Sequence, residues 1–495
     1  MSPFKKFIKQ FSHFFGGMVS VQLLSFVTFP ILTRVLTKEQ YGILGLVTTT
    51  MLFAIAIAKA GLSDGVIRFY KEYSGDRKKL ETFSSTVLMR GIIFSVLTCL
   101  LYLIVLFIFW EYFKLNGKYI LCLLIMVLYL LIRPLNIIVL YFLRVNDKTI
   151  FINIVNLVER ISSVGLSLFL FLYVFKTFYG YFVGLVIAEG VVSIVLFYWF
   201  FRHFSLNPTR ASKELNLQLI KFGGPLLLSE LTFLLMSYAD RYLVVTFLGE
   251  GALGLYSAGY NVAMYIGNII MFSLSYAIVP IYVEIYGAEG REQTEIFLKR
   301  CMRYLLMTII PMWFGYVAIS KDLFITLASE KYVLAAKFSP LILLAYFLSS
   351  VNAIFRAGLY LEKKTMISFL ITFSAIILNI CLNLILLKKM ELMGASIAAL
   401  VSSIVSTILI MIVSNRYIKV EIEVWTFIYY VGLSCLMMLV LNEIETGVVW
   451  ENLILKIILG AVLIGLGILF KENEIRENIK KVYKLRISPL LCRRS

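Results

Sequence analysis

Charge is what this sequence has least of. Only 15% of its 495 residues are Asp, Glu, Lys or Arg, and 60% are apolar; a soluble chain carries about a quarter charged residues. Histidine occurs twice, as His13 and His203, which excludes a histidine-built metal centre and a Ser/His/Asp hydrolase. Six cysteines form no C-x-x-C pair and fall mostly in apolar blocks, so they are expected to be reduced packing residues. No G-x-x-x-x-G-K-[ST] loop is present, which excludes ATP hydrolysis by the chain itself. Proline is scarce, at nine residues, as continuous apolar helices require.

What is there is apolar sequence in blocks of about twenty residues, the length that crosses a hydrocarbon core as a helix. Fourteen such blocks run from 12–33 and 41–62 to 425–443 and 452–470. The expected fold is therefore an all-α polytopic membrane protein of about 14 transmembrane helices. Lys5, Lys6 and Lys9 imitate the start of a signal peptide, but the following block is as long as a span and lacks a small-residue cleavage site, so it is expected to be retained.

The net charge of +18 would suit nucleic acid in a soluble protein. Here the Lys and Arg lie mostly in short connections, and those on one side outnumber the other by about three to one. The positive-inside rule then puts both ends in the cytoplasm, and nucleic acid is not an expected partner. The connections on the outer side are all short. A multi-span glycosyltransferase, a polymerase or a ligase needs a large outer loop, so the chain is not expected to be an enzyme.

The two halves resemble each other. Leu143-Arg-Val-Asn-Asp-Lys148-Thr149 parallels Leu359-Tyr-Leu-Glu-Lys-Lys364-Thr365, Gly180 parallels Gly394, Tyr41-Gly42 parallels Leu253-Gly254, and Arg90 parallels Arg303. A repeat of six helices keeps its orientation on duplication, so two parallel lobes with a substrate site between them are expected. The organisation expected is an N-lobe over 1–201, a linker over 202–218, a C-lobe over 219–414, two further helices within 415–470 and a basic tail over 471–495.

Several motifs carry a resemblance to a known family. Phe29-Pro30-Ile-Leu-Thr-Arg34 leads to Tyr41-Gly42, and Ala60-Gly61-Leu62-Ser-Asp64-Gly65 ends at Arg68. Gly224-Pro225, Ala239-Asp240-Arg241, Leu253-Gly254-Leu-Tyr256-Ser257-Ala258 and Asn379-Ile-Cys-Leu-Asn383 follow in order. Together they resemble bacterial polysaccharide exporters and O-antigen-type (Wzx-like) flippases of the multidrug/oligosaccharidyl-lipid/polysaccharide exporter superfamily. The resemblance implies a MATE-like fold of two six-helix lobes plus two C-terminal helices. It implies alternating access and, as substrate, an oligosaccharide on undecaprenyl pyrophosphate in the bacterial inner membrane. Membrane lipids, a polysaccharide polymerase and glycosyltransferases are the partners expected. A MATE-type multidrug antiporter and a non-transporting scaffold of a polysaccharide-synthesis complex remain alternatives.

A charge at mid-bilayer costs at least about 2.5–3.5 kcal/mol, so each deep charge needs a partner, a wet cavity or a route to the interface. Arg133, Glu159, Arg160, Glu189 and Glu230 lie deepest in their blocks. Arg133 and Arg160 either hold a pyrophosphate or acidic sugar, with Glu159 or Glu189 as displaceable counter-ion, or pair with those carboxylates to pin helices four to six. Arg34, Asp240 and Arg241 close the first helix of each half, as headgroup anchors or at a cavity mouth. Lys59, Arg90, Arg356 and Lys456 lie near block ends and are expected to snorkel, with Lys59 also a candidate cavity cation. Gln22, Asn261, Asn268, Asn379 and Asn383 suit either sugar hydroxyls or helix–helix hydrogen bonds. No cofactor is expected beyond H+ or Na+ as a coupling ion, for which Glu230 is the candidate.

Overall fold

A computed structural model describes residues 25–109, 120–472 and 476. The described chain is helical throughout. Ser25–Val35 (α1) leads to Lys38–Lys59 (α2), a short amphipathic Leu62–Tyr73 (α3), Arg77–Phe109 (α4), Ile120–Val145 (α5), Thr149–Phe169 (α6) and Tyr179–His203 (α7). A continuous stretch, Lys213–Leu327, is broken by left-handed backbone at Gly249 and Gly290 into 213–248 (α8), 250–289 (α9) and 291–327 (α10). Ala335–Phe355 (α11) follows. Thr365–Ser414 is broken at Glu391 into 365–390 (α12) and 392–414 (α13), and Val424–Asn442 (α14) and Val449–Lys471 (α15) end the described helices. Ten helices are long and apolar enough to cross a membrane when the broken stretches count once each. Counting their segments, and adding the apolar α1, brings the total among the described residues to the expected fourteen.

The repeat is visible in local geometry. Asp147 and Lys363 both take left-handed backbone, at φ 57° and 55°. In each case the next amide reaches back five residues: Lys148 N–H donates to Leu143 O at 3.1 Å and Lys364 N–H to Leu359 O at 2.8 Å. This is the Schellman closure of a helix end, which satisfies carbonyls the helix leaves unpaired. The same turn thus follows α5 and the short helix Ala357–Leu361 that continues α11.

The chain divides into two compact units, 42–246 and a second made of 1–41 with 247–495. These cut across the repeat. In the second unit α1 packs on α9, with Phe29 and Tyr265 edge to face at 6.5 Å and Asn261 Nδ2 donating to Tyr41 Oη at 2.9 Å. In the first, α2 packs on α8, with Phe53 and Tyr242 edge to face at 6.4 Å. The repeat maps α1 onto α8 and α2 onto α9, so the two contacts are images of each other.

Within 42–246, α7 packs against both α5 and α6. Aromatic residues Phe83, Phe142, Phe200 and Phe204 fill one end of this group, with Tyr70 against three of them. Where α2 gives way to α3, Ala60 and Gly61 are left-handed and lie against Gly223 of α8; a Cβ on Gly61 would fall on the Gly223 carbonyl. In the other unit, α14 and α15 are fastened to α10 near both of its ends. Arg303 donates to Glu472 at 2.7 Å and lies 3.6 Å from Glu423, and Tyr430 Oη donates to Glu472 at 2.9 Å. Toward the other end, Lys456 pairs with Asp322 at 2.9 Å and Asn452 donates to the same carboxylate at 3.2 Å.

Gly61→Ala is expected to destabilise the chain by more than the roughly 1–2 kcal/mol that left-handed backbone costs a side chain, because the clash with Gly223 adds to it. Thermal unfolding in detergent should fall for Gly61→Ala and stay unchanged for Gly75→Ala, which has open space around it.

Candidate functional site

Three helices converge on one charge cluster in 42–246. Arg133 projects from α5, one residue before Pro134, which α5 accommodates without a break. Its Nη1 donates to both oxygens of Glu189 on α7, at 3.0 and 3.2 Å, and lies 3.4 Å from Glu159 on α6. Glu189 is 1% exposed and also receives Asn136 Nδ2 at 2.6 Å. One guanidinium and two carboxylates thus meet across three helices. Removing one member of such a buried set leaves the other uncompensated, whereas removing both costs far less.

The cluster brings together three of the residues singled out in the sequence, Arg133, Glu159 and Glu189, while Arg160 follows Glu159 on α6 and is exposed. Asn136 was missed, although its i+3 spacing from Arg133 places it on the same helix face. Lys59 and Glu230 are also brought together, as a 2.8 Å ion pair joining α2 to α8. About three turns away on the same pair of helices, Arg241 is buried, donates to Thr49 Oγ1 at 3.2 Å and lies over the Tyr238 ring; its neighbour Asp240 is buried as well. In the other unit Arg34 donates to the carbonyl of Thr326 at 2.7 Å. Beside it, Lys331 donates to the carbonyl of Leu36 at 2.6 Å. Burial, and then the like charge of Lys38, hold that ammonium below its ordinary range against the pull of Glu39. Gln22 lies outside the described residues.

Two of the side chains expected to snorkel do not. Lys456 is buried against Asp322, and Arg90 is 5% exposed, with Nη1 donating to the Asn216 carbonyl at 3.0 Å and its guanidinium over the Phe94 ring. Both sit near block ends, but neighbouring helices cover them before the interface does. Arg356 donates to Thr372 Oγ1 at 3.0 Å. Asn383 Nδ2 donates to Asn379 Oδ1, and Asn379 Nδ2 donates to Ser402 Oγ, joining α12 to α13.

This arrangement of helices recurs in solved transporters. It superposes on a structure titled "Lipid II flippase MurJ, inward closed conformation" with a TM-score of 0.75 at 14% identity, covering 93% of this chain and 99% of that one. It superposes on an inward-facing multidrug resistance MATE family transporter of the MOP superfamily with a TM-score of 0.62 at 16% identity, covering 80% and 95%. An outward-facing MATE transporter gives 0.55 at 15%, covering 84% and 96%. The fold is that of the MOP-superfamily flippases and transporters. A family model described as polysaccharide biosynthesis protein matches residues 8–286, more than half of the chain, and one described as MatE matches 225–385. The chain belongs to the polysaccharide biosynthesis protein family. A comparison with curated protein sequences finds no match.

Arg133→Leu is expected to lose roughly 3–5 kcal/mol of stability by stranding Glu189. Adding Glu189→Leu should return part of it, with a coupling of about 0.5–3 kcal/mol. Thermal unfolding of the purified single and double variants measures this, and strictly additive losses would contradict the pairing.

Proposed function

We propose that the protein translocates a lipid-linked oligosaccharide, a repeat unit carried on undecaprenyl pyrophosphate, across the bacterial cytoplasmic membrane by alternating access for cell-surface polysaccharide synthesis. The observation that carries this reading is the family match over residues 8–286. The charge cluster supports it. A guanidinium keeps its charge in a low dielectric and binds phosphate or carboxylate through paired N–H donors. Arg133 is engaged by Glu189 and Glu159, so an anionic substrate competes with those carboxylates, and Arg160 is the second cation offered to it. Coupling to H+ or Na+ falls in this reading to Glu230, where Lys59 competes with the ion. In this reading the termini lie on the cytoplasmic side, where glycosyltransferases make the repeat unit, and a polymerase uses the unit after it has crossed. The MatE match over 225–385 favours a second reading, export of hydrophobic cations.

The test is complementation of a strain lacking the gene, reading surface polymer, lipid-linked intermediates and membrane abundance together. Wild type should restore polymer. Arg160→Gln should insert normally yet lower polymer about tenfold, the equivalent of one charge-assisted hydrogen bond, with lipid-linked repeat units accumulating inside. Dye efflux without polymer would establish the antiporter instead. Polymer restored equally by every inserted charge variant would overturn the assignment of substrate binding to these charges.

A further inference from the structure

Among the described membrane helices, the one with the smallest buried share begins at α6. Its exposed surface is not uniform. At 3.6 residues per turn, the exposed residues Asn153, Asn156 and Arg160 fall within an arc of about 60°. The exposed aliphatics Ile154, Leu157, Val158 and Ile161 occupy a separate adjoining arc of about 100°. Val155 and Ser163 are buried on the remaining side. An amide facing hydrocarbon has no hydrogen-bond partner and costs several kcal/mol. The aliphatic strip is therefore the lipid face, and the polar strip faces water.

The repeat supplies an independent observation. The turn before α6 and the turn before α12 close in the same way, through Lys148 and Lys364. Counting on from them, Asn153, Asn156 and Arg160 correspond to Phe369, Thr372 and Ile376. Thr372 is already engaged by Arg356. The fold therefore does not require a polar strip at this position; one half has it and the other lacks it. The strip also runs to the charge cluster, since Arg160 follows Glu159, whose carboxylate lies 3.4 Å from Arg133.

We infer that Asn153, Asn156 and Arg160 form a water-facing track along α6 that hydrogen-bonds the sugar part of the oligosaccharide substrate. This rests on the translocation reading above and adds what recognises the sugar. An asparagine amide offers two donors and an acceptor without charge, which matches hydroxyls that both donate and accept. The three side chains rise about 10 Å along the helix axis, longer than one pyranose ring, so the track meets successive sugars. Arg160, beside the cluster, takes the carboxylate of an acidic sugar or the phosphate. A surface built to hydrogen-bond hydroxyls discriminates against substrates that lack them.

Two measurements test the track. In a functional chain whose native cysteines are replaced by serine, Asn153→Cys, Asn156→Cys, Ile154→Cys and Val158→Cys are treated with a membrane-impermeant maleimide. The two former Asn positions should label at least tenfold faster than the two aliphatic ones. Purified undecaprenyl-pyrophosphate oligosaccharide should slow that labelling several-fold. Equal labelling of both strips, or none of either, overturns the track whatever the protein transports. In the native-cysteine background, Asn153→Ala and Asn156→Ala should each lower translocation of the full repeat unit about tenfold while changing translocation of the same lipid bearing one sugar less than twofold. Equal loss on both substrates overturns sugar recognition. Fast labelling of the Asn positions in a protein whose wild type moves neither lipid overturns the translocation reading and, with it, the sugar assignment, and leaves the strip's exposure to water standing.

Discussion

A charged side chain in hydrocarbon must be answered by the protein or led to water, and several ion pairs between helices of this structure answer that demand. Arg133 answers Glu189 and Glu159 and thereby ties α5, α6 and α7. Lys59 answers Glu230 and ties α2 to α8. Asp322 answers Lys456 and holds α15 to α10. Lipid offers helices little reason to associate by burial of apolar surface, so these pairs select which neighbours a helix takes. Arg90 meets the demand differently, through a backbone carbonyl and an aromatic face.

The same demand explains what was legible in the sequence. Helix number was legible because each crossing leaves an apolar block of nearly fixed length, and segment breaks fell where Gly249, Gly290 and Glu391 take left-handed backbone. The deep charges were legible because any such residue stands out against that background. Their partners were less so. Distance from a block end measures depth, while pairing is lateral. Lys456 therefore looked free to snorkel, and Asp322, more than a hundred residues earlier, gave no sign that it lay beside it. Glu472 looked like the start of a tail, yet it is 3% exposed and anchors Arg303 and Tyr430.

Duplication and divergence can be separated along the chain. The left-handed closures at Asp147 and Lys363 are the same device in both halves. The residues that follow differ, with amides and a guanidinium on α6 and mostly apolar side chains on α12. Turns are retained because they set where each helix re-enters the membrane. Exposed faces are free to change because no backbone contact depends on them, and it is there that the halves differ in chemistry.

The exchanged contacts, α1 on α9 and α2 on α8, have a consequence for ancestry. A chain of half this length would carry both members of the pair but bury neither in this manner by itself, since each finds its mate in the other repeat. Two identical half-length subunits would satisfy both contacts at once. Each repeat therefore depends on the other for the mates of its first two helices, which a half-length chain could find only in a second copy of itself.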